Sequence, residues 1–168
     1  MTTTTATPPY TARPIAPGAL AELRVTDDAG RPTTPFTDEE GRAPLRCCLR
    51  RSTPGERIAL VSYAPLRRWA ATTRTDPGAY DEQGPVFVHA DPCPDPGPDG
   101  GTLPFANAHR TVRRYSAEGR ILGGRLVEDP SPEAFTRAFR EAFDDPAVAF
   151  VHVRAVEYGC YLYEVTRG

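Results

Sequence analysis

Two histidines, His89 and His152, with phenols and carboxylates near them in the chain, carry most of the chemistry this sequence offers. An imidazole titrates near neutrality and moves a proton in either direction, while a tyrosine or arginine steadies an oxyanion as it develops. A pocket of His89, His152, Glu82, Tyr80 and Tyr63 would therefore suit cofactor-independent acid–base work of the cyclase, isomerase or lyase type. Arg154 and Arg114 would hold an anionic substrate group, and Tyr115, Trp69, Phe87 and Phe150 would line the rest of the pocket. The same pocket without catalysis would be a non-catalytic module binding a small molecule, anionic or aromatic.

Two further chemistries draw on the cysteines, Cys47, Cys48, Cys93 and Cys160. A thiol-dependent enzyme would use Cys93 or Cys160 as nucleophile and His89 or His152 as base. A reactive thiol needs a neighbouring cation or helix start, and no predicted helix begins beside either one. A metal set of His89, Cys93, His152 and Cys160 has a suitable gap between its first two members. Its second pair is spaced more widely, and no repeated Cys-x-x-Cys supports it, so no metal and no cofactor are expected. The adjacent Cys47 and Cys48 suit a mutual disulfide poorly, and in a reducing compartment free thiols are expected throughout.

Composition removes other classes. The 20 residues counted as Lys plus Arg are all arginine, so Schiff-base chemistry, pyridoxal phosphate attachment and a Walker-type loop lack their lysine. Gly123-Gly124 has neither the spacing nor the following helix of a dinucleotide fingerprint. With a net charge of −2 and arginines scattered along the chain, nucleic acid is not an expected partner. No apolar run approaches the roughly 18 residues of a membrane span, and the amino terminus lacks the basic and apolar regions of a signal peptide. A cytoplasmic protein with no membrane partner is expected, acting on a small-molecule substrate, with a homodimer left open.

These side chains need a scaffold, and 168 residues suit one domain with one core. Residues 1–18 read as a disordered Thr/Pro-rich arm and 19–168 as a single α+β domain. Ala19 to Val25 suits a helical turn or edge strand, and Arg57 to Tyr63 a strand that turns Ala59, Val61 and Tyr63 to one side. Val86 to Val88 is an interior strand framed by Gly84-Pro85 and a Pro/Asp-rich loop. The loops 64–79 and 90–104 read as a lid carrying Trp69 and as a tip.

Thr111 to Tyr115 and Arg120 to Val127 pair as a hairpin about Glu118-Gly119, with a bulge at Gly123-Gly124. Ser131 caps a helix that runs to Asp144 and buries Phe135, Phe139 and Phe143. In Val148 to Val156, Ala149, Val151, Val153 and Ala155 form a small apolar face for that helix, and Phe150, His152 and Arg154 form a pocket wall. The fold class predicted is α+β: a curved, mostly antiparallel sheet with one main helix, about 131–144, packed on one face.

From about Pro44 to Arg167 the sequence resembles a bacterial family called domain of unknown function 1203. The resemblance rests on Pro44-Leu45-Arg46-Cys47-Cys48-Leu49, Pro54-Gly55-Glu56, Tyr80 with Gly84-Pro85-Val86-Phe87-Val88, Arg114-Tyr115, Asp145 through Val153, and Gly159-Cys160-Tyr161. It implies a single domain with this order of elements and carries over no established activity. This chain departs from the family pattern at Leu45, where relatives often have cysteine, and at His89, commonly arginine in one branch.

Overall fold

The computed structural model describes residues 10–93, 104–105 and 108–168. Its architecture is α+β, with two five-stranded sheets where the sequence predicts one. The first sheet contains β1 (Tyr10–Arg13), β7 (Arg110–Ser116), β8 (Ile121–Val127), β9 (Val148–Ala155) and β10 (Tyr161–Arg167) in the order β1-β10-β9-β7-β8, all antiparallel. The second contains β2 (Phe36–Asp38), β3 (Pro44–Leu45), β4 (Arg50–Arg51), β5 (Glu56–Tyr63) and β6 (Gly84–His89) in the order β2-β5-β6-β3-β4. β3 and β6 run parallel there. The sheets separate because nothing in the pattern of a strand states its partner, and β6 takes β5 and β3 rather than β7.

α3 (Pro132–Asp144) begins as its sequence dictates. The Ser131 hydroxyl accepts from the Ala134 N–H, Pro132 fills the first turn, and Phe135, Ala138, Phe139, Ala142 and Phe143 are all buried. They pack on Val148, Val151, Val153 and Ala155 of β9; Ala149, predicted on the same face, packs instead against the small cluster of Leu66, Tyr115 and Phe150. Both β8 and β9 are antiparallel to β7 and so parallel to each other, which makes α3 a crossover over the intervening strand. The β7–β8 turn closes at Gly119, whose φ of +77° disfavours a side chain and where an added Cβ would crowd the Trp69 ring at 3.0 Å. The register shifts between Arg114 and Tyr115, opposite Gly123, where a bulge was predicted.

Two expectations about loops are corrected. The segment read as a lid is α2 (Pro65–Thr73) followed by a 3₁₀ turn at Gly78–Tyr80. Leu66 and Ala70, four residues apart, bury one narrow stripe, while Arg67, Arg68 and the threonines mask the helical period in the sequence. Residues 10–18, expected within an arm, supply β1 and the start of α1 (Pro17–Leu23). Four register pairs with β10 satisfy that backbone, and Tyr10 stacks on Phe143 at 5.3 Å between ring centres. The rest of that arm, residues 1–9, and most of the predicted 90–104 tip lie outside the described residues.

Three apolar clusters hold these elements together. One lies between α3 and the first sheet, one gathers α1 with β3, β5 and β6, and a small third joins α2 to Tyr115 and Phe150 on the other face of the first sheet. Among the described residues no helix is long and apolar enough to cross a membrane.

Candidate functional site

The parallel pairing of β3 with β6 builds the tightest cluster of reactive side chains. Leu45 stands beside Phe87, and the Arg46 N–H donates to the Phe87 carbonyl at 2.9 Å. As the chain leaves β3 for the turn that leads to β4, Cys47 therefore meets His89 at the end of β6. The His89 backbone N–H donates to Cys47 Sγ at 3.2 Å. Leu49 closes that turn with φ of +57°, a left-handed conformation that costs a non-glycine residue on the order of 1 kcal/mol. It allows the Arg50 N–H to face Cys48 Sγ. Beyond β6 a bend at Ala90–Asp91 brings Cys93 back toward the imidazole.

His89 Nδ1 lies 2.9 Å from Cys93 Sγ, 3.4 Å from Cys47 Sγ and 3.8 Å from Cys48 Sγ, and the two adjacent sulfurs are 3.9 Å apart. All four donor atoms fall within 4.8 Å of one another, with Cys47 and Cys48 buried and His89 and Cys93 half-buried. A tetrahedral ion with bonds of about 2.3 Å to sulfur and about 2.0 Å to nitrogen sets sulfur–sulfur edges of about 3.8 Å and sulfur–nitrogen edges of about 3.5 Å. The three sulfur–nitrogen separations, 2.9 to 3.8 Å, span the second value, and the Cys47–Cys48 separation of 3.9 Å is close to the first.

The far nitrogen of the ring is anchored separately. His89 Nε2 is 3.0 Å from Glu56 Oε2, and Glu56 is gripped by the Arg50 guanidinium at 2.7 and 3.4 Å. Arg50, and after it His89, hold the Glu56 carboxyl at about 2. Glu56 can only accept from Nε2, and the Arg50 Nη2, 3.2 Å away, can only donate to it; in the tautomer where Nε2 donates to the carboxylate, Nδ1 presents its lone pair to the sulfurs. Cys48 is drawn below the ordinary thiol range, foremost by the hydrogen bond from Cys47 and also by the Arg50 N–H, whereas that same bond and burial raise Cys47.

His152, Tyr63 and Tyr80 are not part of this cluster. His152 is sealed among Tyr115, Phe150 and Tyr161, with ring centres 4.7, 5.2 and 4.9 Å away, and Nε2 reaches Glu164 at 3.4 Å. Its Nδ1 is buried without a partner among the described residues, and desolvation lowers its pKa. Tyr80, Trp69 and Phe150 pack in the apolar cluster beneath α2.

Tyr63, Glu82, Tyr115, Arg154 and Cys160 do line one cavity of about 250 Å³, together with Tyr161. Burial raises the phenols of Tyr63, Tyr115 and Tyr161. Glu82 is engaged by Arg113 at 3.1 Å and by Arg154 at 3.5 Å. Arg154 lines the cavity itself, while on β7 it is Arg113, not the predicted Arg114, that reaches Glu82. Adjacent strand residues point to opposite faces, and Arg114 lines a hollow beside Ala138 and Glu141 of α3. Phe87 lines a third cavity with Arg46, which Cys160 shares. The convergence expected of all five acid–base residues is thus divided: His89 joins Cys93, while Tyr63 and Glu82 join Arg154.

Sequence reasoning gives Glu56 and Tyr161 no site role, takes Cys47 and Cys48 only as free thiols, and notices Arg46 and Arg113 only as members of short arginine clusters able to clamp a carboxylate or phosphate. The four-residue step from His89 to Cys93 was visible as a ligand pair. Its completion by Cys47 and Cys48, in place of His152 and Cys160, depends on a parallel strand pairing that carries no sequence mark.

Fold and cluster together define an α+β protein bearing a preassembled set of three cysteines and one histidine. A family model described as Protein of unknown function (DUF1203) matches residues 42–167, and the chain belongs to that family. No curated protein and no solved structure matches the chain.

Proposed function

We propose that this chain is a metalloprotein that binds one zinc-like divalent ion through Cys47, Cys48, His89 and Cys93. The observation that carries this reading is the gathering of three sulfurs and one ring nitrogen within 4.8 Å, at separations near the edges of a metal–thiolate tetrahedron. Thiolate-rich sets with one imidazole favour zinc over the hard cations, which prefer oxygen. Glu56 supports the reading as the outer carboxylate that orients a metal-bound imidazole.

Four protein ligands complete a tetrahedron, so the ion is structural in kind and holds no open position for substrate. It would tie three pieces of backbone together: the turn between β3 and β4, the end of β6, and the segment that follows it. Thiolate ligands suit a reducing compartment, in keeping with a cytoplasmic protein. The test is cobalt(II) substitution: metal-free protein given one equivalent should develop the intense absorption of tetrahedral cobalt bound to thiolates, and Cys93→Ala should weaken it. Octahedral cobalt spectra, or no uptake, would overturn the proposal.

A second reading retains one observation in its favour. Tyr63, Glu82, Arg154 and Cys160 line a common cavity, as a small-molecule acid–base enzyme requires. Against it, His152 is enclosed by aromatic rings, the phenols are raised by burial, and His89 belongs to the cysteine cluster. Thiol catalysis, the third reading, rests on the closeness of His89 to Cys93, and alkylation of metal-free protein at Cys93 separates it from metal binding.

A further inference from the structure

A groove of about 620 Å³ contains none of the four clustered ligand side chains and meets the Glu82 cavity only at Pro85, Tyr158 and Cys160. Its floor is apolar. Ile58 and Leu60 of β5, Phe87 of β6 and Phe36 of β2 share one side of the second sheet, because Phe36 is in register with Ile58 and Leu60 with Phe87. Leu60 is 51% exposed and Phe36 41%, so large hydrophobic side chains stand open to the groove. A cavity of this size suits a molecule of some tens of atoms.

Arg46 also lines this groove and is 3% exposed. Its Nε donates to the Tyr161 carbonyl at 2.9 Å and its Nη1 to the Pro44 carbonyl at 2.5 Å, both uncharged acceptors. Its Nη2 makes no hydrogen bond to a described residue, and no described carboxylate lies within ion-pair distance. Arg110, equally buried on the same groove, has Glu157 at 3.2 Å. A buried guanidinium with neutral partners alone is an uncompensated charge, and such charges are normally matched by an anion.

We propose that the groove binds an amphipathic carboxylate, with its headgroup on Arg46 and its hydrocarbon body over Phe36, Ile58, Leu60 and Phe87. A carboxylate fits better than a phosphate. Two oxygens and one charge match the free edge of one planar guanidinium, and because Arg42, Arg51 and Arg110 on the same groove are offset by Asp38, Glu40 and Glu157, the charge left for a ligand is that of Arg46, which suits a monoanion. The groove is lined by none of the four metal ligands, although Arg46 adjoins Cys47 in the chain.

Isothermal titration of the full chain with decanoate, decanol, acetate and decyl phosphate tests the proposal. Decanoate is expected to bind at least tenfold more tightly than decanol, with decyl phosphate weaker than decanoate and acetate unmeasurable. Arg46→Gln should bring decanoate down to the level of decanol. Because Arg46 is buried, Leu60→Glu at the open side of the groove provides a second variant, expected to weaken decanoate at least tenfold with the melting temperature unchanged. Equal affinity for decanoate and decanol, absence of binding, or wild-type affinity in folded Leu60→Glu would overturn the proposal. Tighter binding of decyl phosphate would overturn the headgroup assignment.

Discussion

His89 Nδ1 lies 2.9 Å from Cys93 Sγ while the opposite nitrogen of the same ring lies 3.0 Å from Glu56. One side chain thus joins a buried sulfur cluster on one side to a surface carboxylate on the other. The ring is fixed from both ends, as a ligand orientated by an outer partner should be.

Glu56→Gln tests that orientation. The amide still accepts a hydrogen bond but loses the charge that pairs with Arg50 and strengthens the imidazole as a ligand. Zinc affinity, measured by competition with a chromophoric chelator, is expected to fall by roughly tenfold or more, within the usual range for outer-shell changes. An unchanged affinity would show that Glu56 serves only its surface ion pair.

The ligand set makes a distinction between the cysteines. Cys93→Ser should lower both the zinc content and the melting temperature, whereas Cys160→Ser should alter neither, since Cys160 Sγ lies instead near the Tyr158 carbonyl at 3.7 Å. Equal effects in the two variants would favour the wider set of His89, Cys93, His152 and Cys160.

His152 carries a pH dependence of stability. Burial lowers its pKa in the folded chain from 6.5, opposed by Glu164 on β10 and reinforced by Arg154 and Arg113. The unfolded chain therefore takes up the proton first, and stability is lost as pH falls through about 6.5. Urea denaturation from pH 7.5 to 5 should show this loss in wild-type protein and a shallower one in His152→Phe. Parallel profiles would mean that the imidazole is accommodated in its charged form.

Arg74 ends α2 with φ of +57° and is exposed. Arg74→Gly removes the strain of a left-handed non-glycine residue, offset in part by greater freedom of the unfolded chain, and should stabilise the protein by about 0.5–1 kcal/mol. Phe135→Ala, at the fully buried centre of α3, should cost about 3–5 kcal/mol. Chemical denaturation measures both.

What the sequence revealed follows physical periodicity. The four-residue spacing of Phe135, Phe139 and Phe143 and the cap at Ser131 specify α3 locally, and the alternation of Val151 and Val153 specifies a strand beneath it. Partnership between distant strands has no such signal. The pairing of Leu45 with Phe87 was therefore hidden, and with it the meeting of Cys47 and Cys48 with His89. Register misled at Arg114 in the same way, since a one-residue difference decides which arginine faces Glu82.

The central claim is most directly tested by elemental analysis of protein purified without chelators, with zinc counted per chain. About one zinc per chain is expected, falling to near zero in His89→Ala. Wild-type protein that is folded, free of zinc and unable to retain an added equivalent would contradict the metal centre.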